Sequence, residues 1–329
     1  MALDVKVKIN LTQPAGKAGT WYPLIYVPKT DGEEDKYAEY TKLTDVAEDY
    51  EVTTEAYKAA NLIFMQDNAP DKIAICRGDA TVMTGLADHM KKNWRQLIVL
   101  ADFDSDLATA IEATDKMYFA HFADKAALET AATKIKDFDR TVAVVYTNTD
   151  VEYPEAAVVG ATAGLKAGSF TYKNIILKGV TACELKDTEI EAIHALNGFT
   201  IVEKAGDIVT SEGISVGGEY ADVIDSKDYI IQNVAYNNQK VFNNNKKVPY
   251  TNAGIAMLEA ATLEALVDGY NNGMIADNDD GTPAYSVSFA LRSATTEADR
   301  AARNYPYGQF KFALAGAIHT AEIVGEIEV

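Results

Sequence analysis

From Trp21 to about Gly206, short apolar runs rich in β-branched residues alternate with alanine-rich stretches carrying Lys or Glu. That rhythm limits the fold more than any other feature of the chain. The runs at 23–27, 73–76, 96–100, 116–122 and 141–146 read as strands, and 53–66, 81–94, 106–114, 124–136 and 154–168 read as helices. Thr81 and Asp106 stand where helix N-caps belong, and Pro154 suits a first helical turn. Strand and helix alternating at this spacing, with short connections, predict one α/β domain: a mostly parallel sheet flanked by helices.

The two ends follow a different pattern. Leu3, Val5, Val7, Ile9 and Leu11 alternate with Asp4, Lys6, Lys8 and Asn10, the period of a strand about 30 Å long with one buried face. A break containing Pro14, Gly16 and Gly19 follows and reads as a hinge. At the other end Ile323, Gly325, Ile327 and Val329 share one face of a strand-like segment, with Glu322, Val324, Glu326 and Glu328 on the other. Between about 206 and these last residues the rhythm changes to short strands, helices over 226–238 and 252–270 (Asn252 placed as a cap), an Asn/Lys-rich loop and an Asp/Asn/Gly loop. The chain therefore reads as an N-terminal arm and hinge (1–19), a larger α/β domain (20–205), a smaller α+β domain (206–316) and a C-terminal strand arm (317–329).

Charge and composition exclude several function classes. With 30 Lys plus Arg against 49 Asp plus Glu the net charge is −19, which disfavours nucleic acid and anionic lipid as partners. Apolar runs are far short of a membrane helix, and the start lacks the pattern of a secretory signal. Cys76 and Cys183 are too few and too isolated for a disulfide framework or a zinc site, and read as buried, reduced thiols. No cofactor or metal is expected.

One motif resembles catalytic machinery. Gly213-Ile-Ser215-Val-Gly217 fits the G-x-S-x-G nucleophile elbow, with Asp222 or Asp225 and then His319 downstream. The elbow needs a helix leaving the turn, whereas Gly217-Gly218-Glu-Tyr resists one, and His319 lies in a strand-like tail. A glycine-bounded turn is the better reading, and a serine hydrolase using Ser215 the lesser one. Gly160-Ala-Thr-Ala-Gly164 falls in a helical stretch and reads as close helix packing. Asp277-Asn-Asp-Asp-Gly281 lacks the EF-hand spacing and reads as a solvated turn. His89, His121 and His194 are scattered singly, and Asn10-Leu-Thr12 is a sequon without a secretory context. Lys240, Lys246, Lys247, Arg292, Arg300 and Arg303 stand out as basic positions in an acidic chain.

Several segments together resemble the tail sheath proteins of contractile bacteriophages and related injection particles. They are Tyr40-Thr-Lys-Leu-Thr-Asp-Val-Ala-Glu-Asp-Tyr50, Glu55-Ala-Tyr-Lys-Ala-Ala60, Lys72-Ile-Ala-Ile75, Asn174-Ile-Ile-Leu-Lys-Gly-Val180, the stretch 189–198, Gly218-Glu-Tyr-Ala-Asp222, Pro249-Tyr-Thr-Asn-Ala-Gly254, Gly316-Ala-Ile-His319 and Val324-Gly-Glu-Ile-Glu-Val329. Each is weakly specific; their order and spacing carry the resemblance. It implies a non-enzymatic subunit that polymerises around a tail tube and contracts to drive the tube through a cell envelope. It also implies a subtilisin-like outer domain without protease residues, a C-terminal domain facing the tube, and terminal arms that add strands to neighbouring subunits. The partners implied are copies of the chain itself, a tail tube protein, baseplate and tail terminator proteins. Synthesis is expected in the bacterial host cytoplasm and assembly in a virion tail or tail-like particle. The alternative is a different structural particle protein. On this reading the arm residues are Leu3, Val5, Lys6, Val7, Lys8, Ile9, Leu11, Glu322, Ile323, Glu326, Ile327, Glu328 and Val329, and the six basic residues are candidate tube contacts.

Overall fold

A computed structural model describes residues 20–148 and 153–322. Its larger part is an eight-stranded sheet built from β1 (Tyr22–Pro28), β2 (Lys36–Tyr40), β3 (Ile73–Gly78), β4 (Trp94–Val99), β5 (Met117–Phe122), β6 (Thr141–Val145), β7 (Gly198–Lys204) and β8 (Asp207–Thr210). The order across the sheet is β2-β3-β1-β4-β5-β6-β7-β8. The six inner strands run parallel, and β2 and β8 close the two edges antiparallel to their neighbours. The inner strands are apolar on both faces because helices cover both.

Alternation along each strand divides the core. Ile25, Ile73, Ile75, Ile98, Phe119, Val142 and Val144 meet α1 (Leu43–Asp49), α2 (Glu55–Phe64) and α6 (Pro154–Thr162). Leu24, Tyr26, Cys76, Leu97, Tyr118 and Val145 meet the other layer, α3 (Val82–Leu86), α4 (Ser105–Glu112), α5 (Lys125–Ile135) and α7 (Asp187–His194). Both cysteines are free and buried, as expected.

Gly160 is a helix contact. A Cβ there would lie 2.6 Å from the Cα of Ile63, and one at Gly164 would lie 2.3 Å from the carbonyl oxygen of Asn68. The two glycines let α6 press against α2 and the turn after it.

Three local expectations change. The stretch 81–94 forms only the five-residue α3 and a single 3-10 turn, because Trp94 already opens β4. The helix expected from 106 is capped by Asp104, whose carboxylate accepts from the N–H groups of Asp106 and Leu107. Helix 252–271 is capped by Thr251 rather than Asn252.

The C-terminal part comprises α8 (Ala221–Asn244), α9 (Asn252–Asn271), β9 (Tyr285–Phe289), α10 (Glu297–Ala301) and β10 (Gly308–Phe312). α8 and α9 form a hairpin on the antiparallel β9–β10 pair, enclosing Tyr229, Ile230, Val234, Ala265, Leu266, Met274 and Ile275. α8 begins five residues earlier than the pattern indicates, and its first turns bury Ala221 and Ile224 in the core of the larger sheet. β8 also belongs to that sheet, so the division expected at 205/206 falls inside the β7–β8 hairpin. The Asp277–Gly281 stretch is a turn, with Asp280 accepting from Thr282 N–H and hydroxyl and Gly281 at φ 77°.

Candidate assembly surfaces and the joint behind them

The chain buries a cluster of paired charge where α8 meets the large sheet. Arg95 follows Trp94 at the start of β4, Arg140 immediately precedes β6, and both sit at the N-terminal ends of parallel strands where α8 crosses. Arg95 is 1% exposed and Asp228 1%. The Arg95 guanidinium donates to Asp225 from Nε (2.9 Å) and Nη2 (2.6 Å), and to Asp228 from Nη1 (2.6 Å). Arg140 grips the same Asp228 carboxylate with both terminal nitrogens. The Tyr172 hydroxyl donates to the remaining oxygen of Asp225 (2.8 Å). Burial opposes the charge on Arg95, but Asp228 and Asp225 outweigh it, so the guanidinium holds its proton more tightly than a free arginine. Burial likewise raises Asp228, and the two arginines outweigh it, leaving the carboxyl below the usual aspartate range.

Trp21, at the start of the described chain, closes this joint from outside. Its ring lies over the Arg95 guanidinium (4.7 Å), stands edge-on to Tyr229 (6.3 Å), and its indole N–H donates to Gln232 (3.1 Å). Buried pairs of this kind add little net stability over apolar packing but are costly to break singly. They therefore fix α8 on the sheet in one register.

The basic residues converge on one end of the C-terminal part. Lys246 and Lys247 occupy the loop between α8 and α9, and the Arg292 N–H donates to the Asn252 side chain (2.9 Å) at the start of α9. Tyr250 donates to the carbonyl of Asn304 (3.0 Å) and stacks edge-on against Tyr305. The two basic clusters, separate in sequence, thus meet around the α8–α9 loop. Lys240, Lys246, Lys247, Arg292 and Arg303 are exposed and have no ion-pair partner among the described residues. Arg300 differs. It donates to the carbonyl and hydroxyl of Thr295 and holds the 292–295 turn closed. From Tyr229 to Leu258 the sequence has three lysines and no acid.

Pro249-Tyr-Thr-Asn-Ala-Gly254 builds that end physically. The Thr251 hydroxyl accepts from Gly254 N–H (3.3 Å), and a Cβ at 254 would lie 1.9 Å from the Pro249 carbonyl oxygen. Only glycine permits this turn into the helix.

The Ser215 motif has a packing explanation. Ser215 is fully buried, and its hydroxyl accepts from Glu219 N–H (3.2 Å). A Cβ at Gly213 would lie 2.5 Å from Tyr172 Cβ, and one at Gly217 2.4 Å from Asp139 Oδ1. The segment is a tight turn closed by an Ile214–Tyr220 bridge; β8 ends at Thr210 and α8 begins only at Ala221, so Ser215 does not sit on the sharp strand-to-helix turn of an elbow. His319 bonds Thr171 and faces Glu212, while Asp222 bonds the same Thr171. The order Ser215, Asp222, His319 is therefore not assembled as a relay. Among the described residues no group of His, Cys, Asp or Glu is arranged to hold a metal ion.

The expected arm positions 3–11 and 323–329 and the hinge at Pro14, Gly16 and Gly19 lie outside the described residues; Glu322 is described and exposed. Sequence reasoning missed Arg95, Arg140, Asp228 and Trp21. A signal was present: each arginine abuts the start of an apolar run, and Asp222, Asp225 and Asp228 recur every three residues along one helix.

Comparison with known proteins agrees with this architecture. Residues 221–327 match the family model described as the C-terminal domain of E217 tail sheath protein gp31-like proteins. Curated proteins give no match. The sheath complex of PVC, an extracellular contractile injection system, in its contracted state is similar at TM-score 0.71 and 12% identity, covering 100% of this chain and 97% of that one. The helical sheath of the anti-feeding prophage (AFP), also contracted, is similar at TM-score 0.67 and 14% identity, covering 100% and 99%. A sheath tail protein from Desulfitobacterium hafniense is similar at TM-score 0.56 and 11% identity, covering 95% and 100%. The C-terminal region at 221–327 thus matches the tail sheath C-terminal domain model, and the chain as a whole has the fold seen in contractile sheath subunits.

Proposed function

We propose that this chain is a structural subunit of a contractile sheath, polymerising around a tail tube and shortening to drive that tube through a cell envelope. The observation that carries the reading is the correspondence with sheath subunits over the whole of both chains, joined to the C-terminal family match. Subunits are linked by strand exchange: positions 3–11 and 322–329 add to the open edges of neighbouring sheets, where main-chain hydrogen bonds give direction and alternate apolar side chains fill the face below. Pro14, Gly16 and Gly19 let the body turn while the strand stays paired. The outer α/β domain and the tube-facing α+β domain act as one body, because the Arg95–Asp228 joint ties them.

The basic end around Lys246, Lys247, Arg292 and Arg303 supports its assignment as the tube contact, with Lys240 on the same helix and Arg300 shaping the turn beneath. Screened surface charge makes a contact that releases under load. Baseplate and tail terminator proteins would bound the polymer, and the subunit would be made in the host cytoplasm before joining a virion tail or tail-like particle. Among the described residues no helix is long and apolar enough to cross a membrane.

Negative-stain electron microscopy of the concentrated protein tests the polymer reading directly. Hollow regular tubes are expected from the intact chain and not from a variant lacking residues 1–12. Tubes of unchanged number and regularity from the truncated chain would remove the linking role of the N-terminal arm.

A further inference from the structure

The segment that leads to the C-terminus is held on its own subunit at two points. The first is backbone: Ala313 N–H donates to Ala284 (2.9 Å), and Ala315 N–H to Met274 (2.8 Å). The second is a single side chain, His319, the only residue of 316–322 that is not exposed. Its side chain is 12% exposed. Nε2 lies 3.0 Å from the Thr171 hydroxyl and the ring stands edge-on to Tyr220 with centroids 4.6 Å apart, while Nδ1, 3.5 Å from Glu212 Oε2, makes no hydrogen bond among the described residues. The partners are themselves fixed. Thr171 donates its one proton toward Asp222 (3.3 Å), so Nε2–H is the donor to Thr171, and Lys173 holds Glu212.

Neighbouring side chains of an extended segment point opposite ways. With His319 turned in, Ile318 is turned out and is 89% exposed; among the described residues the next most exposed large apolar side chain, Val52, is 60% exposed. Singly exposed apolar side chains are ordinary on flexible surface. Here the backbone is pinned on both sides of one, which makes it a fixed apolar knob.

We propose that His319 is a clasp that fixes the root of the C-terminal segment on its own subunit and so presents Ile318 as an apolar contact for a second copy of this chain. Charge selects a second copy as the occupant. Glu322, Glu326 and Glu328 follow the knob, and the same sequence carries the opposite charge at Lys6 and Lys8. A patch on one copy that meets a different patch on the next is a heterologous contact, which builds rings or filaments rather than closed pairs. The inference deepens the polymer reading above and rests on it for the identity of the partner, but not for the clasp.

Two experiments on the full chain test the parts separately. In limited proteolysis at low concentration, His319→Ala should be cut within 313–322 several-fold faster than wild type, with unchanged circular dichroism. His319→Gln, which keeps a donor for Thr171 but loses the ring packed edge-on to Tyr220, should fall between, and it carries the test if the alanine variant unfolds. Wild-type cleavage rates in both would overturn the clasp. For the contact, Ile318→p-benzoylphenylalanine irradiated at high concentration should give a ladder of covalently joined copies, and Ile318→Asp should abolish that association while Ile318→Leu preserves it. Monomer alone after irradiation, or wild-type association of Ile318→Asp, would overturn the contact. A ladder without tubes in the microscope would keep the contact and count instead against the sheath reading.

Discussion

At the scale of single residues, Glu155 is the least comfortable side chain described. It lies in the first turn of α6, 2% exposed, and its Oε2 has no hydrogen-bond partner among the described residues. Burial pushes its carboxyl up to about 8. The folded chain therefore keeps a proton at neutral pH that the unfolded chain releases, and stability from this group is full below about pH 4.5 and lost as pH rises through about 8. Glu155→Gln removes that dependence. It should raise stability by on the order of 1–3 kcal/mol at pH 7–8 and leave it nearly unchanged at pH 5, read from urea unfolding at the two values. An equal effect at both pH values would show that Glu155 is charged in the fold. Nothing in the sequence marked this residue, since Pro154-Glu155 reads as an ordinary acidic first turn; its burial is a property of the assembled fold. The glycines were more legible. Gly160 was recognisable as a packing residue because helical spacing left no other use for it, whereas Gly213 and Gly217 resembled an elbow because close backbone approach and a catalytic turn both demand glycine.

At the scale of elements, α8 carries the argument. Its first half belongs to the core of the large sheet and its second half to the hairpin with α9. The joint at Arg95, Arg140, Asp225 and Asp228 sets where it lies. Asp228→Ala would leave the buried Arg140 guanidinium without its carboxylate and Arg95 with Asp225 as its remaining one, and should cost about 3–5 kcal/mol, measured as a fall in the urea midpoint with unchanged slope. Because Asp228 is held below the usual aspartate range, its contribution is present above about pH 4 and lost as pH falls further, opposite in sign to Glu155. If Asp228→Ala were no less stable than wild type, the joint would be incidental. The parallel sheet and most of its helices were readable from periodicity, since apolar runs buried on both faces leave few alternatives. The joint was not, because charged residues at strand starts look like solvated ends until the helix that covers them is known. The same ignorance of tertiary context made 81–94 look like one long helix, although Trp94 was already the first residue of a strand.

At the scale of the whole molecule, the sequence separates opposite charges: Lys6 and Lys8 at one end, Glu322, Glu326 and Glu328 at the other. Each exposed pair is worth only about 0.2–1 kcal/mol, but it repeats at every junction of a polymer. Lys6→Glu with Lys8→Glu should impair tube formation, and Glu326→Lys with Glu328→Lys in the same chain should restore it; normal assembly of the first variant would refute the pairing. Lys246→Glu with Lys247→Glu should leave self-assembly intact and weaken attachment to the tube, and wild-type attachment should fall as salt rises. Attachment that is indifferent to salt would move the tube contact elsewhere. The separate basic clusters could be seen in the sequence, but not that the α8–α9 loop brings them together, because that depends on Tyr250 reaching Asn304.

The joint lies at the start of the parallel strands, and the opposite end of the sheet holds a site of another kind. There β1 passes into the exposed turn at 29–35, where Gly32 has φ 91° and open space around its Cα. A foreign domain spliced in at that turn would hang from the end of the sheet opposite the clamped helix, so such an insertion is expected to leave the joint, and the register it sets for α8, undisturbed.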